Sequence, residues 1–378
     1  MLEFVQTAAE AISYVFLTLV KSLLAPLLFG LIVSALGRSR GDAAVGRIGI
    51  RAIIYFEAIT TLALLIGWGV MIVFQPGAAL GLAAKKVSAG TSMPLSDALV
   101  NSVPASGIDA MATNAVLPMI VFFGLIGWAA RSIGNKAETL NQFAESVHAV
   151  TMGYAGILMK LAPLGMVSAV IALLLSAGWK TVESLAGFVI AALTAQILMG
   201  VVVFGLVLIF CRQPLGRFLR CTRATLLIAV TTTSSAAALP KALEGMERYG
   251  VRQKLLGIVM PLALSFNASG SLIQIMMAVL FAAQAARMQL SAGQMVFLLL
   301  MLKLVGKGVA GIPRANFVIL SATLPMFGLP LDTLPMLLAV DGIIDMVRTP
   351  VNVLGHCVGA AVVARWEGES LAEELCEP

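Results

Sequence analysis

Apolar residues run along this chain in long blocks instead of alternating with polar ones. Blocks at residues 12–36, 45–74, 114–131, 144–175 and 184–211 have the length and continuity of helices that cross a hydrocarbon core, which takes about 20 residues. The longer ones can tilt or bend, with Gly67, Gly69, Gly153 and Pro163 as bend points. Residues 76–107 are rich in Gly, Ser and Pro and read as an extracytoplasmic loop. The second half departs from this pattern. An apolar stretch at 226–239 is broken by Thr231-Thr232-Thr233-Ser234-Ser235, and another at 296–324 is broken by the run from Gly306 through Pro313 to Asn316. A polar turn inside hydrocarbon leaves backbone groups unpaired unless protein or a watery cavity surrounds it. The two breaks therefore predict re-entrant helical hairpins, about 214–248 and about 292–326, entering from opposite sides. Paired interruptions of this kind point to a transporter site built from inverted repeats.

Two further spans carry polar residues in mid-course. The stretch 255–285 is interrupted at Asn267-Ala268-Ser269-Gly270-Ser271, and 331–365 carries Asp341, Asp345, Arg348 and Asn352. Spacings of four, three and four place these last side chains on one helical face. An ionisable group in a membrane span costs about 2.5–3.5 kcal/mol on insertion scales and by default marks a functional site. One reading is an Asp345–Arg348 ion pair that seats the helix in a bundle. The other is a clamp for a zwitterion, with Asp345 for an ammonium group, Arg348 for a carboxylate, and Thr349 and Asn352 adding neutral hydrogen bonds. The five hydroxyls at Thr231–Ser235 admit the same two readings: an anion-facing turn with half-helix N-termini, or side chains that cap their own backbone.

Composition agrees with a membrane solvent. Of 378 residues, 60% are hydrophobic and 12% charged, and the mean hydropathy is +0.98, against roughly 25% charged residues in a soluble domain. The formal net charge of +6, from 25 basic and 19 acidic residues, is concentrated at span edges. Arg38, Arg40, Arg47 and Arg51 form one group, Arg212, Arg217, Arg220 and Arg223 a second, and Lys241, Arg248, Arg252 and Lys254 a third. All fall on one side if the spans alternate, which is the positive-inside bias of an inner-membrane protein and not a nucleic-acid face. Residues 1–10 hold two acidic and no basic side chains and lack the form of a secretory signal, so the start reads as mature. The four cysteines show no paired spacing and suggest neither a zinc site nor a disulfide framework. Gly306–Gly311 spells a dinucleotide fingerprint without its strand and βαβ context, and Asn267-Ala268-Ser269 spells a glycosylation acceptor in mid-span; neither is credited. No nucleophile–base pair, metal cluster or nucleotide loop supports an enzyme, and no cofactor is expected.

In order along the chain, the hydroxyl hairpin ending in Ala238-Leu239-Pro240, the Asn267–Ser271 break, Gly308-Val309-Ala310-Gly311-Ile312-Pro313, and Asp345-Met346-Val347-Arg348-Thr349-Pro350-Val351-Asn352-Val353 resemble the motifs of the dicarboxylate/amino acid:cation symporter family. Tyr55–Thr61 and Gln75-Pro76-Gly77 resemble its third helix and exit loop. The resemblance implies a homotrimeric elevator carrying a small anionic amino acid or dicarboxylate through the lipid bilayer. Scaffold and trimerisation helices would lie at 1–44 and 108–180, a transport domain at 45–75 and 181–366, and a cytoplasmic tail at 367–378. By motif position, Thr233, Ser234 and Ser235, Ser271, and Ile312, Arg314 and Asn316 would line the substrate with Asp341, Asp345, Arg348, Thr349 and Asn352. Asp345 would face an amine, which favours aspartate or glutamate over a plain C4-dicarboxylate.

The chain departs from the family pattern where cations bind. The usual Asn-Met-Asp-Gly-Thr break loses its carboxylate to Ser269, and His356 stands where a second sodium-ligating Asp is usual. Sodium favours anionic oxygens, so the coupling ion is expected to be a proton, with sodium the weaker candidate. His356, one turn past Asn352, is the titratable group, and Asn267, Ser269 and Asn352 are its neighbours. The other reading makes His356 a neutral core residue. Arg314 and Asn316 add charge and bulk at a tip where the family prefers Gly. The usual first helix is missing ahead of residue 12. Competing readings are a receptor that binds without transporting and an uncoupled exchanger or anion-conducting derivative of the fold.

Overall fold

The computed structural model describes residues 2–37, 43–81, 103–176, 179–309 and 315–369, and among these every regular element is a helix. The chain opens with α1 (Leu2–Ser22) and α2 (Leu24–Gly37), two helices where a single span at 12–36 was expected. Pro26 explains the division: it has no N–H for the carbonyl of Ser22, so the hydrogen-bond ladder stops at Leu23. Then come α3 (Ala43–Phe74), the short α4 (Gly107–Ala112), α5 (Val116–Ile133) and α6 (Glu138–Ser176). Helix α7 (Trp179–Ile197) continues through a π turn at Leu198–Val203 into α8 (Phe204–Phe210).

The first predicted hairpin is α9 (Leu215–Thr232) and α10 (Ser235–Arg248), followed by α11 (Gln253–Phe266) and α12 (Ser269–Ala285) on either side of the Asn267 break. The arms of the second are α13 (Ala292–Val309) and α14 (Ala315–Met326); its turn, with Ile312 and Arg314, lies outside the described residues. The last helix, α15 (Thr333–Trp366), holds the whole polar stripe in one unbroken element. Most of the expected outer loop, the tail beyond Glu369, and Arg38 and Arg40 also lie outside the described residues.

Among the described residues five stretches are long and apolar enough to cross a membrane: Glu3–Ser34, Gly46–Phe74, Pro118–Leu175, Trp179–Phe210 and Gln253–Ala285. Pro118–Leu175 alone holds 58 residues, about 87 Å at helical rise, and so takes more than one passage. The protein is an all-α polytopic membrane protein. Exposed large side chains such as Ile72, Val73, Phe74, Val201, Ile209 and Phe210 match lipid as the solvent.

The chain forms two compact units. The first comprises Met1–Arg40, Phe74–Phe188 and Ala278–Gly342. Within it α1 and α2 pack on α6, α2 packs also on α5, α13 lies on α2 and α5, and α14 lies on α1. The second comprises Gly41–Val73, Val189–Met277 and Ile343–Pro378. There the end of α15 is fixed to the start of α3 by Glu367, which bridges Arg47 and Arg51 at 2.8 Å each. The hairpin arms α9 and α10 pack on each other, and near their tip Ala229 and Ala238 bury against Val353 of α15. Cys211 and Cys357 are free thiols, whereas Cys221 is disulfide-bonded, which corrects the expectation that no disulfide forms.

Candidate functional site

The second unit concentrates charge where hydrocarbon-compatible side chains would be expected. On α15, Asp345 and Arg348 are only 3% and 4% exposed. Arg348 Nη2 donates to Asp345 Oδ1 at 2.5 Å, and Thr349 Oγ1 donates to the same oxygen at 2.9 Å. The other arm of the guanidinium, Nη1, donates to Gln274 Oε1 on α12. The planar fork thus serves two acceptors on two helices, a geometry that a lysine ammonium could not reproduce. Two opposite charges buried together are tolerable, but either one alone would cost about 3–5 kcal/mol. The pair is therefore neutral as a whole.

One turn further on, Asn352 closes the gap between α11 and α12. Its Oδ1 accepts from the backbone N–H of Gly270 at 2.8 Å and of Ser271 at 3.4 Å, and its Nδ2 donates to Ser271 Oγ at 3.1 Å. Those N–H groups open α12 and have no partner inside their own helix. Asn267, extended between the two helices, returns the contact by donating from Nδ2 to the Asn352 carbonyl at 3.2 Å. The Asn267 carbonyl in turn accepts from His356 Nε2 at 3.1 Å, so this ring nitrogen carries a proton. Gln196, on α7 just before the π turn, donates to the Gly270 carbonyl at 2.8 Å. π turns inside α-helices are frequent at functional sites.

Packing at the break requires glycine at two points. A Cβ on Gly270 would stand 2.7 Å from the Arg348 carbonyl and 2.9 Å from Gln196 Oε1. On Gly355 it would stand 2.4 Å from Asn267 Nδ2. Helix α15 therefore lies hard against the break. Three buried oxygens, Asn267 Oδ1, Ser269 Oγ and Gln196 Oε1, have no hydrogen-bond partner among the described residues. All three are uncharged.

Of the residues singled out in the sequence, Asp345, Arg348 and Thr349 form one bonded group with Gln274, Asn352, Ser271, Asn267 and His356 form a second with Gly270 one turn further along α15, and Ser269 is fully buried. Asp341 lies one turn before Asp345 on α15, fully buried. Asn316 stands in the first turn of α14, 4% exposed. The hydroxyl hairpin behaves differently. Thr231 and Thr232 donate to carbonyls of their own helix, the latter to Ile228 at 2.7 Å. Thr233 adopts the left-handed conformation that reverses the chain, with φ of 47°, and Ser234 caps α10 by accepting from Ala237 N–H at 3.2 Å. Here the self-capping reading describes the bonds that form.

Sequence reasoning passed over Gln274, Gln196 and Gly270. Each glutamine is a lone amide in a strongly apolar span, and that interruption was the available signal. The chain matches the sodium:dicarboxylate symporter family over residues 2–366. The protein therefore belongs to that family, a multi-pass membrane transporter and not an enzyme.

Proposed function

We propose that the protein is a secondary active transporter of acidic amino acids, aspartate or glutamate, across the inner membrane, driven by protons and not by sodium. The observation that carries this reading is the buried Asp345–Arg348 pair with Gln274 on the second arm of the guanidinium. An acidic amino acid brings a carboxylate to Arg348 and an ammonium to Asp345, so each internal charge exchanges its partner for an external one and neither is left alone. A plain C4-dicarboxylate would satisfy Arg348 and strand Asp345. Thr349, Asn352 and Ser271 supply neutral hydrogen bonds beside that pair. Thr233, Ser234 and Ser235, Asp341, and Ile312, Arg314 and Asn316 complete the proposed lining.

The cation side of the reading rests on what surrounds the break. Oxygens that could serve a sodium ion are already engaged by N–H donors: the Asn267 carbonyl by His356, the Asn352 carbonyl by Asn267, and Asn352 Oδ1 by two backbone amides. The remaining Asn267 Oδ1 and Ser269 Oγ are neutral, whereas a hard cation favours carboxylates. An imidazole can bind and release a proton at its ring nitrogens, which makes His356 the proton carrier proposed for this network. Through Asn267 it touches the same break that Asn352 holds, which gives protonation a route to the binding residues. Family resemblance extends the proposal to a homotrimer in which a mobile body carries this network past a fixed scaffold.

The test is uptake of labelled aspartate, glutamate, succinate and fumarate into proteoliposomes under an imposed pH gradient or an imposed sodium gradient, with wild type and His356→Ala. The expected result is aspartate or glutamate uptake that rises as the outside is made more acidic, ignores sodium, and loses its response to pH in the variant. Sodium-driven uptake would overturn the proton reading. Binding without uptake would favour a receptor, and current without stoichiometric uptake an anion-conducting derivative.

A further inference from the structure

The transport reading gives Asp345 and Arg348 their ligand groups and leaves Gln274 without a part. Gln274 is 5% exposed and stands four residues after Gly270 on α12, so the two share a helical face. That face is fixed against α15 at one end. Asn352 Oδ1 accepts from the Gly270 and Ser271 amides, and a Cβ on Gly270 would stand 2.7 Å from the Arg348 carbonyl. One turn on, Gln274 Oε1 accepts from Arg348 Nη1, while Asp345 Oδ1 accepts from Nη2 at 2.5 Å. Of these two acceptors one is charged and the other neutral.

We infer that Gln274 is an internal competitor of the substrate: its carboxamide occupies the arm of Arg348 that a substrate carboxylate takes, and reclaims it when the substrate leaves. This rests on the reading of Arg348 as the carboxylate-binding residue. Moving Asp345 off the guanidinium strands a buried charge unless the ligand supplies a cation, whereas moving Gln274 off it leaves a neutral amide. The amide is therefore the acceptor that yields at lower cost. A carboxylate offers Nη1 a full negative charge and the planar pair of oxygens that suits a guanidinium, where the amide offers one neutral oxygen. An acidic ligand wins that exchange. An amide or hydroxyl oxygen on a ligand only trades like for like, so the arm selects anionic groups. The bond to Gln274 also lowers the net gain on binding, and a carried substrate must be held weakly enough to leave.

The test is calorimetric titration of the full chain in nanodiscs with aspartate and with succinate, for wild type, Gln274→Met and Gln274→Glu. Methionine is unbranched like glutamine and carries no strong acceptor, so this variant removes the competitor and fills its space. Its affinity should rise about tenfold, because one charge-assisted hydrogen bond is no longer broken on binding. Its ligand-free form should melt at a lower temperature than wild type. Gln274→Glu installs a stronger competitor and should weaken binding about tenfold or more. A merely structural Gln274 would weaken binding in both variants. That result, or unchanged affinity in Gln274→Met, would overturn the inference. Succinate separates it from the amino-acid reading, since it brings carboxylates to Arg348 without an ammonium for Asp345. If wild type preferred succinate, the amino-acid reading would fail, while tighter succinate binding by Gln274→Met would still establish the competitor. Binding of neither ligand by wild type would remove both.

Discussion

Two regions of the second unit look alike in sequence and behave oppositely in structure. The first-hairpin turn and the α15 stripe are both polar interruptions of an apolar run. In the turn, each bonded hydroxyl is satisfied within a few residues of itself: Thr231 and Thr232 by their own helix, and Ser234 through its cap on Ala237. In the stripe, only the bonds to Asp345 are local. Arg348 reaches Gln274, Asn352 reaches Gly270 and Ser271, and His356 reaches Asn267, across sequence separations of 74 to 89 residues. A short hydroxyl side chain competes well for the nearest carbonyl. A guanidinium or a carboxamide is too long or too polar to be satisfied that way in a buried helix, so it organises its neighbours.

The largest effect that follows is at Arg348. Arg348→Ala leaves the Asp345 carboxylate buried without its counter-ion, with only the Thr349 hydroxyl on it, and should destabilise the protein by about 3–5 kcal/mol and abolish measurable aspartate binding. The double variant Asp345→Ala/Arg348→Ala should recover much of the thermal stability without recovering binding. Equal losses in the single and double variants would mean that the pair is no unit. Next comes Gly270→Ala, which pushes a methyl to 2.7 Å from the Arg348 carbonyl and should cost about 1–3 kcal/mol in thermal unfolding. Gly257→Ala, with open space around its Cβ position, is the matched control and should be neutral or slightly stabilising. Asn352→Ala, which strips acceptors from two N–H groups and a donor from Ser271 Oγ, should cost about 1–3 kcal/mol and weaken aspartate affinity in parallel. A loss of stability without any change in affinity would confine Asn352 to holding the break.

How far the sequence disclosed this arrangement depends on the kind of signal. The spans were legible because apolar length is a direct consequence of the hydrocarbon thickness; the turn at Leu23 separates α1 from α2 yet leaves Glu3–Ser34 one apolar stretch, and the expected 114–131 and 144–175 fall within Pro118–Leu175. The stripe of Asp341, Asp345, Arg348, Asn352 and His356 was legible because a helical period and buried charge are both written locally. Its partners were not. Gln274 and Gln196 are single amides whose role depends on which helix lies opposite, and Gly270 matters only because α15 passes close to it. For the hydroxyl turn, sequence supplied both readings, and backbone geometry at Thr233 and Ser234 selected between them.

The smallest effects belong to that turn and bear most directly on the comparison. Ser234→Ala removes the cap on α10 and should lower stability by about 1 kcal/mol, as lost N-caps do. Thr231→Val keeps the shape of an exposed side chain and removes only bonds to the carbonyls of Leu227 and Ile228, which those helical acceptors can spare. Its expected change in thermal stability is within about 0.5 kcal/mol, and its aspartate affinity should equal that of wild type. An unchanged Thr231→Val beside a silent Arg348→Ala assigns recognition to the long-range network and leaves the turn its local role. If Thr231→Val instead lost affinity while keeping its stability, its hydroxyl would have to leave its own helix for the ligand, and the contrast between the two regions would describe the resting bonds alone.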